Sequence, residues 1–414
     1  MGIACLAAEV LHVFRTYLRS AEFLDCARTE SRYFTRNRCM SLEDCVLFLL
    51  TKSNRSLQIG LNDFLQNRKI CSKQAFSQKR RHIRQHAIWQ LAELVRDTFY
   101  NHADFFTWNG YRLLAVDGTR MNLPDSPKLM SRFGAQLSSG NQVQCLLSVV
   151  YDVLNQQVIS VRSECCSGSE RALIDKQIRE DACFTPGKEI FILDRGYPSA
   201  ELIKTLNETG HLFVMRASTE FLRGFHLTSD DCIVDYTFSR KSYRAKLRVV
   251  SFGLTDGSVE YLVTNLFDTR FRIEDFSKVY HARWEVEQWF RGLKSTIESE
   301  NISGLDEQTF LQDLYANFTL LNLNGVFFFA SQMHFIQNPG KRKYEIKPNR
   351  RVLAVSLRER LCVLLIGMSF NYLRRKVRVF LYQTIRSVVD VRPGRSFLRK
   401  KNHLSLSFPT NQRH

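Results

Sequence analysis

The chain has 414 residues, 44% of them hydrophobic, enough to bury a full core in one large domain or two to three smaller ones. Lys and Arg outnumber Asp and Glu by 59 to 41, a net charge of +18 spread over the whole length, which favours a polyanionic partner. Eleven cysteines, an odd number with no Cys-x-x-Cys pair and no secretory leader read before them, argue against a disulfide framework and a structural zinc site, so the chain is read as cytoplasmic.

From about Leu6 to Tyr100 apolar residues return every three or four positions with no Pro among them, which predicts an all-helical first domain over residues 1–106. Within it Ser72 is placed to cap a basic helix whose exposed face is expected to carry Lys73, Gln74, Ser77, Arg80, Arg81 and Arg84, a candidate DNA-contacting surface. After Thr107 the texture changes to strands at Tyr111–Val116, Val143–Val150 and Gln157–Val161. A helix over Ser169–Arg179 follows, then strands at Glu189–Leu193 and Leu212–Arg216. That order predicts an α/β fold, a mixed sheet with helices on it, its first part over 107–217.

Residues 218–270 read as a small β insertion, with strands at Cys232–Phe238, Tyr243–Phe252 and Val259–Leu266 and a hairpin signal at Thr255-Asp-Gly257. Helix returns at Glu274 and runs to about Ser299, within a second core part over 271–335. Further helices are expected over Asp306–Met333 and Ser356–Val388, with a linker at Asn338–Pro348 and a basic tail from Arg392, so that 336–414 form C-terminal helices and a tail. The apolar run Val326–Ala330 is too short to cross a bilayer, and no membrane association is expected.

Asp117 and Asp194 each follow a short strand and each has a Gly close behind, at 118 and 196, a setting in which a sheet delivers side chains to a crevice at its edge. One such Asp is common. Two of them, with an acid on a later helix, form a candidate three-carboxylate cluster for hard divalent cations. Helical phase supplies the third acid: in Tyr280-His-Ala-Arg-Trp-Glu-Val-Glu-Gln-Trp-Phe-Arg-Gly-Leu-Lys294, Arg283, Glu287, Arg291 and Lys294 share one side with Tyr280, whereas Glu285 points away. Two Mg²⁺ held by three carboxylates would activate a nucleophile and stabilise the leaving oxygen of a phosphodiester, with Mn²⁺ as a substitute. Arg283, Arg291 and Lys294 would grip the flanking phosphates, and Tyr280 would hold one by its hydroxyl.

Asp117-Gly, Leu193-Asp-Arg-Gly-Tyr197 and Tyr280-x2-Arg283-x3-Glu287-x6-Lys294 together resemble the motifs of bacterial insertion-sequence transposases of the acidic-triad (DDE) class, in the family with the Tyr-Arg-Glu-Lys signature. The resemblance covers about residues 107–335. It implies a ribonuclease-H-like core interrupted by the β insertion, with Asp117, Asp194 and Glu287 as metal ligands and catalytic residues. It also implies binding of double-stranded DNA at terminal inverted repeats, strand cleavage and transfer, and self-association as a dimer in the DNA-bound synaptic complex. In relatives an aromatic of the insertion stacks on a displaced base; Tyr236, Phe238, Tyr243 and Phe252 are available here and none is assigned. A structure-specific endonuclease of the same fold and an inactive repressor derived from a transposase remain as alternatives.

Overall fold

The computed structural model describes residues 3–36, 39–52, 55–66, 70–136, 141–238, 243–254, 257–283, 302–338, 343–366 and 369–391. Six helices come first, α1 (Ile3–Leu18), α2 (Ala21–Ala27), α3 (Leu42–Thr51), α4 (Leu57–Leu65), α5 (Lys73–Arg80) and α6 (Gln85–His102). Strand β1 (Arg112–Asn122), helix α7 (Pro127–Phe133), β2 (Ala135–Gln136), β3 (Gln142–Asp152) and β4 (Gln157–Cys165) follow. Next are α8 (Glu170–Glu180), β5 (Glu189–Leu193), α9 (Ala200–Glu208), β6 (Leu212–Ala217), β7 (Asp231–Phe238), β8 (Tyr243–Gly253), β9 (Val259–Thr264) and α10 (Ile273–Ala282). The last described elements are α11 (Glu307–Gln337), β10 (Glu345–Pro348), α12 (Arg350–Leu365), α13 (Phe370–Thr384) and β11 (Val388–Val391). By packing, the chain divides into one unit of Met1–Asp104, Asn122–Arg132 and Gly292–His414 and another of Phe105–Met121 and Phe133–Arg291.

The first unit is helical and draws on both ends of the chain. Its early helices start where serine side chains accept the orphan amide three residues on: Ser20 from Phe23, Ser41 from Asp44, Ser56 from Ile59 and Ser72 from Ala75. At its centre lies α11, in which every residue from Thr309 to Ser331 except Tyr315 and Asn317 is buried. A helix buried all round in this way forms the centre of a core. Against it lies α6, with Trp89 beside Tyr315 and Phe318 and Phe99 edge-on to Phe329. The polar side chains of α11 on this interface are satisfied by α6 carbonyls, Thr319 by that of Ile88 and Asn322 by that of Ala92.

A buried charge cluster ties the two ends of the chain together within this unit. Asp313 Oδ1 lies 3.0 Å from Lys52 Nζ and 2.9 Å from Arg80 Nη2, while its Oδ2 accepts from the amides of Ser303 at 2.8 Å and Gly304 at 3.0 Å. Burial alone would raise the Asp313 carboxyl, but Arg80 and Lys52 outweigh it and hold the group down at about 2. Residue 304 has room only for glycine: a Cβ there would stand 2.3 Å from the Thr309 carbonyl carbon.

The second unit is built on a nine-stranded mixed sheet, ordered β2-β3-β1-β5-β6-β9-β8-β7, with β4 paired to β3. Strands β1, β5 and β6 run parallel, and β5 is buried along its whole length, as expected of a central parallel strand covered on both faces. Helix α8 packs on β3 and β4, α9 on β6 and β8, and α10 on β8 and β6. A buried Gln177 links Ser148 of β3 to Ser160 of β4, accepting from the first at 2.6 Å and donating to the second at 2.7 Å.

Four expectations change. Strand β1 runs on to Asn122, so Asp117 lies within it rather than after it, because β3 borders β1 on the side away from β5. The segment 218–270 does not close on itself: β9 pairs antiparallel with β6, and its three strands extend the central sheet. The expected helix over Ser356–Val388 is two helices, broken at Ile366 by an extended backbone and restarted by Ser369, which caps α13; Gly367 in the sequence is the local signal for that stop. Residues 345–348, read as linker, form β10 and pair with β11. The hairpin signal falls partly outside the described residues, but Leu254 N donates to Ser258 O at 2.7 Å and Gly257 has φ +82°, the left-handed backbone such a turn needs. No described helix is long and apolar enough to cross a membrane.

Candidate active site

The register of β1 on β5 places the two aspartates. Their paired rungs run from Arg112↔Glu189 to Ala115↔Ile192, so Asp117 and Asp194 each stand two residues beyond the last rung of neighbouring parallel strands. Neighbouring strands lie about 4.8 Å apart, so the register brings both residues to the same end of the strand pair, and the charges of both act on the buried Tyr197 phenol. This geometry arises because Leu113–Val116 and Ile190–Leu193 are fully buried strands whose alignment is fixed by the core.

Helix α10 reaches the same place. Tyr280 Oη donates to Asp194 Oδ1 at 3.0 Å, and Arg283 Nη2 lies 3.7 Å from Asp194 Oδ2. The Arg283 guanidinium also sits 5.5 Å from the Tyr280 ring centre, so the two side chains three residues apart act on one carboxylate from one helix face. Asp194 Oδ1 further accepts from the Arg195 amide at 2.6 Å. Burial pushes the Tyr280 phenol well up; Arg283 offsets part of this and Asp194 adds to it, so the hydroxyl keeps its proton and remains a donor at neutral pH. Nearby Glu260 is buried and its carboxyl is raised by desolvation, with Arg216 at 3.5 Å and the charge of Arg283 pulling the other way.

Two further groups border the aspartates: Glu170, which carried no signal in the sequence, and Tyr197, which closes the Leu193-Asp-Arg-Gly-Tyr197 motif but had no role read for it. The Glu170 side chain lies against Gly118, where a Cβ would come within 2.3 Å of its carboxyl carbon, so the glycine after Asp117 admits this acid rather than a turn. Tyr197 is buried at 2% exposure, and its phenol is raised well above the usual range by burial and then by the charges of Glu170, Asp117 and Asp194. Glu170 is the first-turn acid of α8 behind the Ser169 cap, a place where an acid needs no functional reason, which is why it carried no signal. Arg171 Nε donates to Gly196 O at 2.6 Å and steadies the Asp194–Tyr197 turn.

Glu287, Arg291 and Lys294, like Glu285, lie outside the described residues. Among the described residues no group of three or more His, Cys, Asp or Glu side chains comes together as a metal cage. Of the aromatics in the sheet extension, Tyr236, Phe238 and Tyr243 form a half-buried cluster with Phe225, the Phe225 and Tyr236 rings 4.1 Å apart, and Phe252 stands outside it.

The basic α5 face is redistributed. Gln74, Arg81 and Arg84 are exposed and Lys73 and Ser77 are half-buried, but Arg80 is only 2% exposed. It shares the inward side with Phe76, four residues earlier, and its guanidinium donates to Gln312, Ser303, the Thr309 carbonyl and Asp313. Arg80 is therefore corrected from the exposed face to the core. Arg84 reaches the carbonyls of Cys26 and Thr29, and Arg81 lies 3.7 Å from Asp306.

A family model described as "Transposase DDE domain" matches residues 108–323, more than half of the chain and a span that contains Asp117, Asp194, Tyr280 and Arg283. The chain belongs to this DDE transposase family. Two curated relatives are similar to it: the transposase InsG for insertion sequence element IS4 of Escherichia coli (strain K12), 23% identical over 252 residues, covering 57% of this chain and 56% of that protein, and a probable transposase for insertion sequence element IS5377 of Geobacillus stearothermophilus, 28% identical over 145 residues, covering 32% and 38%. The chain thus spans about half the length of the first of these and less of the second. A solved structure described as the cryo-EM structure of a piggyBac transposase synaptic complex with hairpin DNA aligns with 94% of this chain and 87% of its own, at 14% identity and a TM-score of 0.44.

Proposed function

We propose that this DDE family member is a DNA transposase that binds the terminal inverted repeats of its element and catalyses metal-dependent strand cleavage and transfer. The observation that carries the reading is that Asp117 and Asp194 each stand two residues beyond the last paired rung of the adjacent parallel strands β1 and β5, with Tyr280 and Arg283 converging on Asp194. The strand order β4-β3-β1-β5-β6, with β1, β5 and β6 parallel and β3 and β4 antiparallel, supports a ribonuclease-H-like core. The donor set at the sheet is oxygen only and suits Mg²⁺ or Mn²⁺; Asp117 and Asp194 would hold the ions, and Glu287, in helical phase with Tyr280 and Arg283, would complete the set. When bound, the ions lower the pKa of a water or 3′-hydroxyl and stabilise the leaving oxygen. Tyr280 and Arg283 orient the Asp194 carboxylate; Arg283 is only 3% exposed and turned onto that carboxylate, so the grip on flanking phosphates is left to Arg291 and Lys294. Dimerisation in the DNA-bound synaptic complex belongs to the same reading.

The test compares Glu287→Gln with Glu285→Gln on a terminal-repeat duplex. A separation of two residues turns a helical side chain by about 200°, so only Glu287 is in phase with Tyr280. Glu287→Gln is expected to bind end DNA normally and lose Mg²⁺-dependent nicking by several orders of magnitude, whereas Glu285→Gln stays near wild type. Nicking is also expected to vanish in EDTA and to be weak in Ca²⁺. A slow Glu285→Gln enzyme beside an unimpaired Glu287→Gln enzyme overturns the assignment. Cleavage without strand joining moves the reading to a structure-specific endonuclease.

End recognition is assigned to α5 and its C-terminal turn, through exposed Gln74, Arg81 and Arg84 and half-buried Lys73. Replacing Arg81 and Arg84 together with Ala is expected to weaken binding and to lower the slope of log affinity against log salt by up to roughly two units. An unchanged slope with end DNA removes these residues from the interface.

A further inference from the structure

Far from the acidic residues in sequence, the first unit carries a basic groove that nothing above uses. A cavity of about 670 Å³ is walled by α13 with the start of α1 and the end of α11; Arg374, Arg375, Arg378 and Tyr382 line it from α13 and His334 from α11. The three arginines are exposed, and Arg374 and Arg378 stand one helical turn apart, about 6 Å along the axis. From Ser369 to Val389 the chain has Arg374, Arg375, Lys376, Arg378 and Arg386 and no acid.

Several exposed arginines of the molecule are paired with an acid, Arg19 with Glu43, Arg55 with Asp63, Arg244 with Asp235 and Arg270 with Asp268. Among the described residues no carboxylate lies within ion-pairing distance of Arg374, Arg375 or Arg378; Arg378 instead lies over the Tyr382 ring, 5.8 Å from its centre. Like charges at i,i+4 oppose helix formation, and an anion laid along them relieves that opposition.

We propose that this groove binds the sugar–phosphate backbone of duplex DNA without reading its sequence. The guanidinium groups offer forked donors that match phosphate oxygens, while Tyr382 and Asn371 add neutral donors of the kind that position a duplex. The apolar remainder of the wall, Ala4, Leu381 and Ile385, suits deoxyribose. The choice of DNA as the anion rests on the transposase reading; the groove itself is independent of the acidic residues.

The full chain is titrated with a short duplex of arbitrary sequence in EDTA, where no cleavage occurs, over a series of salt concentrations. The Arg374→Gln/Arg375→Gln/Arg378→Gln variant is expected to lose on the order of tenfold in affinity and up to roughly three units of salt slope. The Arg374→Lys/Arg375→Lys/Arg378→Lys variant, which keeps the charge but not the fork, is expected to recover most of the slope and part of the affinity. Removing the same charge through Lys176→Gln/Lys188→Gln/Lys204→Gln, exposed lysines of the sheet unit, is expected to change little. Equal slopes for wild type and the glutamine variant, or an equal loss in the lysine control, overturn the groove. So does loss of binding to anionic phospholipid vesicles with binding to DNA unchanged. If wild type nicks end DNA and the groove variant binds normally, the groove fails and the transposase reading stands; if wild type binds through the groove yet never nicks, the reverse holds.

Discussion

Asp194→Asn is expected to bind end DNA within a few-fold of wild type and to lose Mg²⁺-dependent nicking by roughly 10³-fold or more, a cost of about 4 kcal/mol or more in transition-state stabilisation. Asn keeps the size of the side chain and one acceptor oxygen, so the hydrogen bond from Tyr280 at 3.0 Å has a partner. What it removes is the negative charge that a divalent ion needs and that faces Arg283 at 3.7 Å. Tyr280→Phe separates the two effects: it keeps the charge and removes only the orienting hydroxyl, and is expected to slow nicking far less. The measurement is single-turnover nicking of a terminal-repeat duplex with binding and thermal melting checked in parallel. An Asp194→Asn protein that nicks at the wild-type rate would remove the second aspartate from the chemistry.

The largest effect on stability is expected at Asp313→Asn. The change leaves Lys52 and Arg80 buried without the carboxylate between them, and breaking such a cluster from one side costs about 3–5 kcal/mol. In a protein of this size that lowers the melting temperature by about 3–6 °C. The acid dependence has a definite sign. Asp313 titrates at about 2 in the folded protein against about 3.9 unfolded, so its contribution is complete above about pH 4 and is lost as pH falls from there toward 2. The variant is therefore expected to lie well below wild type at neutral pH and to show a flatter loss of stability over that acid window. Parallel melting curves from pH 7 to pH 2 would contradict the assignment.

What the sequence made legible was local. Asp117 and Asp194 could be found because each comes directly behind a short run of buried apolar residues, Leu113–Val116 and Ile190–Leu193, and Tyr280 and Arg283 because helical phase is a property of a few consecutive residues. What escaped depends on partners distant along the chain. Arg80 reads as one more exposed arginine until Ser303 and Asp313, more than two hundred residues later, are brought to it. Glu170 looks like an ordinary first-turn acid until Gly118 leaves space for it. The three strands read as an insertion have the alternation of a separate hairpin unit, and only the pairing of β9 with β6 makes them part of the sheet. The break before α13 was signalled, since Gly367 followed by Ser369 is a stop and a new cap.

The buried cluster at Asp313 also sets an order of events during synthesis. Helices α3, α5 and α6 leave the ribosome more than two hundred residues before α11, the element that covers their apolar faces and supplies the counter-charge for Lys52 and Arg80. Domains fold as units while the chain emerges, and contacts this distant must bear the entropy of closing a long loop. The sheet unit, whose residues all precede Gly292, has its whole sequence available earlier. A nascent chain therefore carries the strands of Asp117 and Asp194 before the helical unit has its centre, and that unit gains its basic groove only after α11 and α13 have followed the sheet unit out.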